Sequence, residues 1–387
     1  MSGMHESPNL TEIQRRAIIS GMVNLSDAHA KQSLQPASSR ALVDAFSAHV
    51  GSRSDSRRDL AEFFTAGLSR HTGQPYRPAS THLVYSASIA LSVAAQLLRR
   101  RACRIVGVIT PTVDSVPVHF SNVGLLPTGI PERTLMPECD FDHLEALKLD
   151  ALVVVTPNNP TGVRLSRTAL TQLILWSARC KVVLILDMSF RMLDPQARWD
   201  IIDAADGSGA DVIVVDDTGK TVSLAGMKLA IISGTKKLRA EVSRVCSDVL
   251  LAVPEIDLLL LATVLQTTGP DSEVHRAQDL IRSNAAYLAR QLRNVGCLTP
   301  SVADAPGSFQ PSVAWISVGP ARDQIVEACR ARLLEVTPGD LFHWDTGRAD
   351  GKGAHQIRVA LLRDAGYFAL GADLLAEAMA STTCYTD

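Results

Sequence analysis

Val214-Val215-Asp216-Asp217-Thr218-Gly219-Lys220-Thr221 decides the reading of this chain. An apolar β-branched run, as in a strand buried on both faces, stops abruptly in acid, hydroxyl, glycine and a single lysine. That places an amine at the carboxyl edge of a sheet, where open α/β sheets bind their ligands. A lysine there is either a solvated loop residue or an amine set for covalent chemistry with a carbonyl. The neighbouring strand ends decide between the two.

Outward from this stretch, strand-like runs at 83–85, 105–109, 151–155, 182–186 and 229–232 alternate with helical patterns. Such alternation predicts an α/β fold with a mostly parallel central sheet flanked by helices, over residues 41–270. From Ser272 the character changes to a long amphipathic helix, then strand, helix, strand and a last helix, which reads as a smaller α+β domain over 271–387. Residues 1–40 form an amino-terminal arm, in which Gly3, Ser7, Pro8 and Pro36 bracket one short helix that Thr11, with Glu12 and Gln14, could cap. The polar cluster Asn24-Leu25-Ser26-Asp27-Ala28-His29 then lies either on the surface or over a site.

Three further strand ends carry chemistry. Ser86-Ala87-Ser88 opens an apolar helix and leaves backbone N–H groups for an anion. Thr156-Pro157-Asn158-Asn159-Pro160-Thr161-Gly162 locks a turn with two prolines around two asparagines, a rigid device for aiming an amide. Asp187-Met188-Ser189-Phe190-Arg191 puts a carboxylate directly after a buried strand, where it needs a cationic or N–H partner.

Composition narrows the partners. A chain of 387 residues, 46% hydrophobic and 20% charged, is expected to be an ordinary soluble globular protein. Its formal net charge of -2 offers no field for a phosphate backbone, so no nucleic acid is expected. Seven cysteines without a C-x-x-C pair suggest reduced thiols in a cytoplasmic protein, with no zinc site or other metal. The polar amino terminus gives no signal peptide, and Pro254, Glu255 and Asp257 interrupt the richest apolar run, so no membrane anchor is expected.

An anion cradle, an aimed amide, a buried carboxylate and a lysine at one sheet edge resemble, over nearly the whole chain, the aminotransferase-type fold of pyridoxal-phosphate enzymes, fold type I. The resemblance implies that Lys220 forms the Schiff base with pyridoxal 5'-phosphate, Asp187 pairs with the pyridinium nitrogen and Asn159 bonds the ring hydroxyl. It gives the phosphate to Ala87, Ser88 and Thr218, with Lys228 where arginine is usual, and the substrate α-carboxylate to Arg358. Two positions depart from the pattern. Val113 stands where an aromatic stacks on the ring, and Phe190 replaces a tyrosine, which removes a hydroxyl donor from the ring oxygen.

The arm Asn24 to Gln32, Asp187 to Arg191, Asp217 to Lys220, Ser247 to Leu251 and Phe342-His343-Trp344 are together similar to the oxygen-dependent pyridoxal-phosphate arginine oxidases, hydroxylases and desaturases of nonproteinogenic amino acid pathways. Phe190 agrees with that subgroup. This resemblance implies L-arginine and O2 as substrates, 4-hydroxy-2-oxo or 4,5-dehydro products, and neither metal nor flavin. Asp217 with Asp27 or Glu12, and Thr11 beside them, would receive the guanidinium. Gln14 sits near where the subgroup carries glutamate, and Glu12 takes that place if the register slips. Lys220 would take the Cα proton, and His29 would help water add at Cγ. A homodimer with the arm closed over the substrate is also implied. A conventional aminotransferase, or a cyclase acting on hydroxylated arginine, shares Lys220, Asp187 and Arg358. A ligand-sensing regulator on this fold is a third reading, against which stand the intact Lys220 and the lack of a preceding helix-turn-helix.

Overall fold

A computed structural model describes residues 9–51, 57–77, 80–136, 138–224, 226–296, 311–345, 351 and 353–383. Gly3, Ser7, Pro8, Cys297 and Cys384 therefore lie outside the described residues; the other five cysteines are free thiols. In chain order the described strands are Val23–Asn24 (β1), Thr81–Val84 (β2), Ile105–Thr110 (β3), Leu126–Pro131 (β4), Ala151–Val155 (β5), Val183–Asp187 (β6), Val212–Asp217 (β7), Ala230–Gly234 (β8), Val313–Ser317 (β9), Leu334–Glu335 (β10), Thr337–Pro338 (β11) and Gln356–Ala360 (β12).

The central sheet has the order β2-β8-β7-β6-β5-β3-β4. β5, β6 and β7 bury every residue, as their unbroken Val, Ile and Leu runs require of strands covered on both faces. The pairs from β4 through β7 are parallel, while β8 runs antiparallel to both β7 and β2. Helices Ala87–Arg100 and Arg167–Cys180 bury Leu91, Leu97, Leu98, Leu170, Leu173 and Ile174 against this sheet, each worth roughly 1.5–3 kcal/mol. Sequence reading missed β4: Leu-Pro-Thr-Gly-Ile-Pro looks like a loop, and only an edge position tolerates its prolines.

Residues beyond 270 build an antiparallel sheet of order β11-β12-β9, covered by helices Glu273–Asn294 and Ala365–Thr383. Of the two placements expected for the arm, it is no loose surface segment. Leu25, Ala28 and Ala30 belong to the core of this second unit, together with Leu288, Val359 and Phe368. β1 pairs in parallel with β10, Leu25 N–H donates to Glu335 O at 3.0 Å, and Ala360 N–H donates to Leu25 O at 2.8 Å. Gly371 makes room for this contact: a Cβ there would come within 2.7 Å of Leu25 Cδ1. The cap is also reassigned. Asn9, not Thr11, caps the helix Leu10–Ile19, in a capping box with Glu12.

Candidate active site

The carboxyl ends of β5, β6 and β7 open into a cavity of about 300 Å³. The start of helix Ala87–Arg100, the loop Val113–Ser115, the arm residues Leu10, Thr11, Gln14, Ala28 and His29, and Arg358 from β12 close it. The large sheet, the strand β12 of the second sheet and the arm thus meet over the strand ends.

Lys220 ends a single 3-10 turn, Thr218–Lys220, that Asp217 caps by accepting from Gly219 N–H at 2.7 Å. Burial pulls its ammonium below the usual lysine value, against the attraction of Asp217 and Asp27. Its Nζ lies 3.2 Å from His29 Nε2, and Lys228 Nζ lies 3.1 Å from the same nitrogen. On the far side of the ring, His29 Nδ1 meets Asp27 Oδ1 at 2.6 Å. The Lys220 charge, then burial, push the imidazole below its ordinary value, while Asp27 pulls the other way. Burial would raise the Asp27 carboxyl, but the hydrogen bonds and charge of His29 hold it well below the usual carboxylate range. An ionised Asp27 fixes the proton on Nδ1 and leaves Nε2 to accept.

The two asparagines of the proline-locked turn divide their work. Asn158 is structural: its Nδ2 donates to Pro111 O at 2.8 Å and Glu132 Oε1 at 2.6 Å. Asn159 lines the cavity, and its Oδ1 accepts from Arg358 Nη1 at 3.1 Å, leaving its Nδ2 for an acceptor. Arg358 also donates to Ser26 O and Thr337 Oγ1 and lies 5.1 Å above the Phe342 ring. Burial pulls its guanidinium down to about 10. Its Nε is buried with no partner among the described residues. Asp187 accepts from Ser189 N–H and Oγ–H through Oδ1, and burial raises its carboxyl above the ordinary value.

These groups fit pyridoxal phosphate. Asp187 Oδ2 is clear of the Ser189 bonds and wants a cationic donor, Asn159 keeps an amide to give, and helix Ala87–Arg100 points its first turn at the cavity beside Lys228. The orphaned Arg358 Nε would be satisfied by a substrate carboxylate.

Three assigned residues stand elsewhere. Thr218 Oγ1 is consumed by Leu229, just before β8, donating to Leu229 O at 2.9 Å and accepting from Leu229 N–H at 3.0 Å, so it is not part of the cradle. Glu12 is exposed and spent on the Asn9 cap, so the register does not slip and Gln14 faces the cavity. Asp27 is occupied by His29 and Lys31, not placed for a guanidinium. Thr11 and Val113 do line the cavity, and Phe190 carries its ring 5.9 Å from Lys220 Nζ. Asp217 lines it too, but its Oδ2 accepts from Ala87 N–H at 3.0 Å.

Sequence reading missed Asp114, a cavity-lining carboxylate whose Oδ2 accepts from Leu10 N–H at 2.9 Å. Nothing in the local sequence marks it, because its partner comes from the arm. It also missed the buried group in which Arg191 binds Asp216 at 2.7 and 2.5 Å while Tyr76 hydroxyl donates to Asp216 at 2.7 Å.

A lysine, a buried carboxylate and an anion-binding helix start at one sheet edge define a pyridoxal-phosphate enzyme of fold type I. The chain belongs to the aminotransferase class I and II family, whose profile matches residues 52–348. Among curated proteins it is 28% identical over 176 residues to histidinol-phosphate aminotransferase 1 of Pasteurella multocida, covering 44% of this chain and 48% of that one. It is 20% identical over 212 residues to the putative aminotransferase YugH of Bacillus subtilis, covering 52% of each. The chain thus spans about half the length of the curated relatives it matches. MppP soaked with the product 2-ketoarginine superposes with a TM-score of 0.83 at 23% identity, covering 92% of this chain and 99% of that one. N-succinyldiaminopimelate aminotransferase from Mycobacterium tuberculosis gives 0.76 at 20% identity, covering 95% and 96%. Among the described residues no helix is long and apolar enough to cross a membrane.

Proposed function

We propose that this enzyme oxidises L-arginine with O2, in a pathway to nonproteinogenic amino acids. What carries this reading is the His29 imidazole, brought by the arm to 3.2 Å from Lys220 Nζ, in a site where Phe190 supplies no hydroxyl. The MppP structure, which holds 2-ketoarginine, supports the same substrate class.

Pyridoxal phosphate, when bound, supplies the electron sink for bond breaking at the substrate Cα. Asp187, Asn159, Lys220 and Lys228 would hold it, with the Ala87 and Ser88 amides at its phosphate. A phosphate at Ala87 N–H would displace Asp217 Oδ2 and free that carboxylate for the substrate. Arg358 would hold the α-carboxylate, and Lys220 would take the Cα proton. Asp217, with Asp114 and Gln14 on the arm side, would receive the guanidinium. O2 would accept the electrons, and His29, neutral at Nε2, would take a proton from water adding at Cγ. A homodimer is part of this reading, and sedimentation as a single chain would count against it.

The family and its curated relatives favour a second reading, a conventional aminotransferase. O2 uptake and product mass with arginine, with and without a keto acid, separate the two. Oxidised arginine formed without keto acid supports the proposal. Turnover that proceeds equally under nitrogen and needs the keto acid would overturn it.

A further inference from the structure

Arg363, just past β12, is buried, and its guanidinium is shared among four backbone carbonyls. Nε donates to Asn24 O at 3.1 Å, Nη1 to His29 O at 3.0 Å and Leu362 O at 2.8 Å, and Nη2 to Asp27 O at 2.5 Å. Three of these carbonyls belong to the arm. The segment from Asn24 to His29 is therefore curled around one cation, with the carbonyl oxygens of Asn24, Asp27 and His29 turned toward it. Its side chains serve the site instead: Asp27 grips His29 Nδ1, and His29 Nε2 faces Lys220. Arg363 does not line the cavity. Its own backbone is fixed, because Asn284 Nδ2 donates to Leu361 O at 2.7 Å and Arg363 O at 2.9 Å.

We infer that Arg363 is a positioning residue for the reaction: it sets the curvature of Asn24–His29 and so holds the His29 imidazole against the Lys220 amine. The three arm carbonyls are met by three different nitrogens of one rigid fork, a spread that the single nitrogen of lysine does not reproduce, so lysine is a poor replacement. The inference rests on Lys220 carrying the cofactor and not on the identity of the substrate.

The test is the pH titration of the visible band of bound pyridoxal phosphate, without amino acid. Lys220 is faced by His29, Lys228, Asp217, Asp187 and Asp27, and of these only His29 and its partner Asp27 belong to the segment that Arg363 holds. Parent, Arg363→Ala, Arg363→Lys, His29→Ala and the double Ala variant are compared. His29→Ala should move the midpoint by about one unit or more. Arg363→Ala should move it as far in the same direction, and the double variant no further. Arg363→Lys, the milder change, should fall between, and free guanidinium ion should return Arg363→Ala towards the parent. A parental midpoint in Arg363→Ala or in His29→Ala, or a double shift equal to the sum of the singles, would overturn the inference alone. A parent with no visible band would overturn the Lys220 assignment and the inference with it.

Discussion

His29 Nε2 lies 3.2 Å from Lys220 Nζ although 191 positions separate the two residues in the chain. Neither is an obvious partner for the other, since both carry positive charge when protonated. Burial lowers the Lys220 ammonium, and the Lys220 charge, then burial, lower the His29 imidazole, so the charged form of each is disfavoured where they meet.

Lys220→Ala should fold and lose its visible chromophore. Borohydride treatment followed by peptide mass measurement should place reduced pyridoxal phosphate on Lys220 of the parent and on no lysine of the variant. A reduced adduct on Lys228 in the variant would reassign the nucleophile.

Replacing Asp27 by Asn tests the sign of the His29 shift. Asp27 raises the imidazole pKa, so its loss should lower that value further. The acid limb of the kcat profile should therefore move to lower pH, while the plateau falls by about 10²-fold as the tautomer is released. An acid limb that moves to higher pH would mean Asp27 does not act through His29.

Asp114→Asn should cut the preference for arginine over its neutral isostere citrulline by roughly 10- to 100-fold in kcat/KM, leaving cofactor absorbance unchanged. Gln14 stands one helical turn below Leu10, whose amide Asp114 holds, so Gln14→Glu in the same chain should restore the preference. Unchanged discrimination in both variants would remove this wall from the guanidinium site.

Arg191 and Asp216 are both buried, at 0% and 3% side-chain exposure. Asp216→Asn leaves the guanidinium uncompensated and should cost roughly 3–5 kcal/mol in urea unfolding. The double change Arg191→Met with Asp216→Leu should lose much less. Equal losses would indicate that the pair is not what Asp216→Asn disrupts.

The strand ends were legible because buried parallel strands announce themselves: unbroken Val, Ile and Leu runs broke off at Asp187 and Asp216, and the chemistry sat directly behind. The Asn159 turn was legible through its prolines. What escaped depends on partners distant in sequence. Thr218 looked like a phosphate ligand, but Leu229, just before β8, takes both sides of its hydroxyl. The arm looked polar because Asp27 and Gln32 are buried yet bonded, and its few apolar residues, Leu25 above all, contribute to a core built mostly from residues beyond 270. Asp114 and Arg363 carried no local signal, since each is defined by backbone atoms of the arm.

That dependence has a consequence for biosynthesis. Chains emerge from the ribosome amino end first, and the large sheet can assemble while the remainder is still being made. Leu25, however, pairs with Glu335 and Ala360, so the middle of the arm lacks its backbone partners until the last strand is out. A nascent chain cut short before Ala360 would own Lys220, Asp187 and the start of helix Ala87–Arg100, and still lack the strand and the Arg363 fork against which the histidine segment is folded.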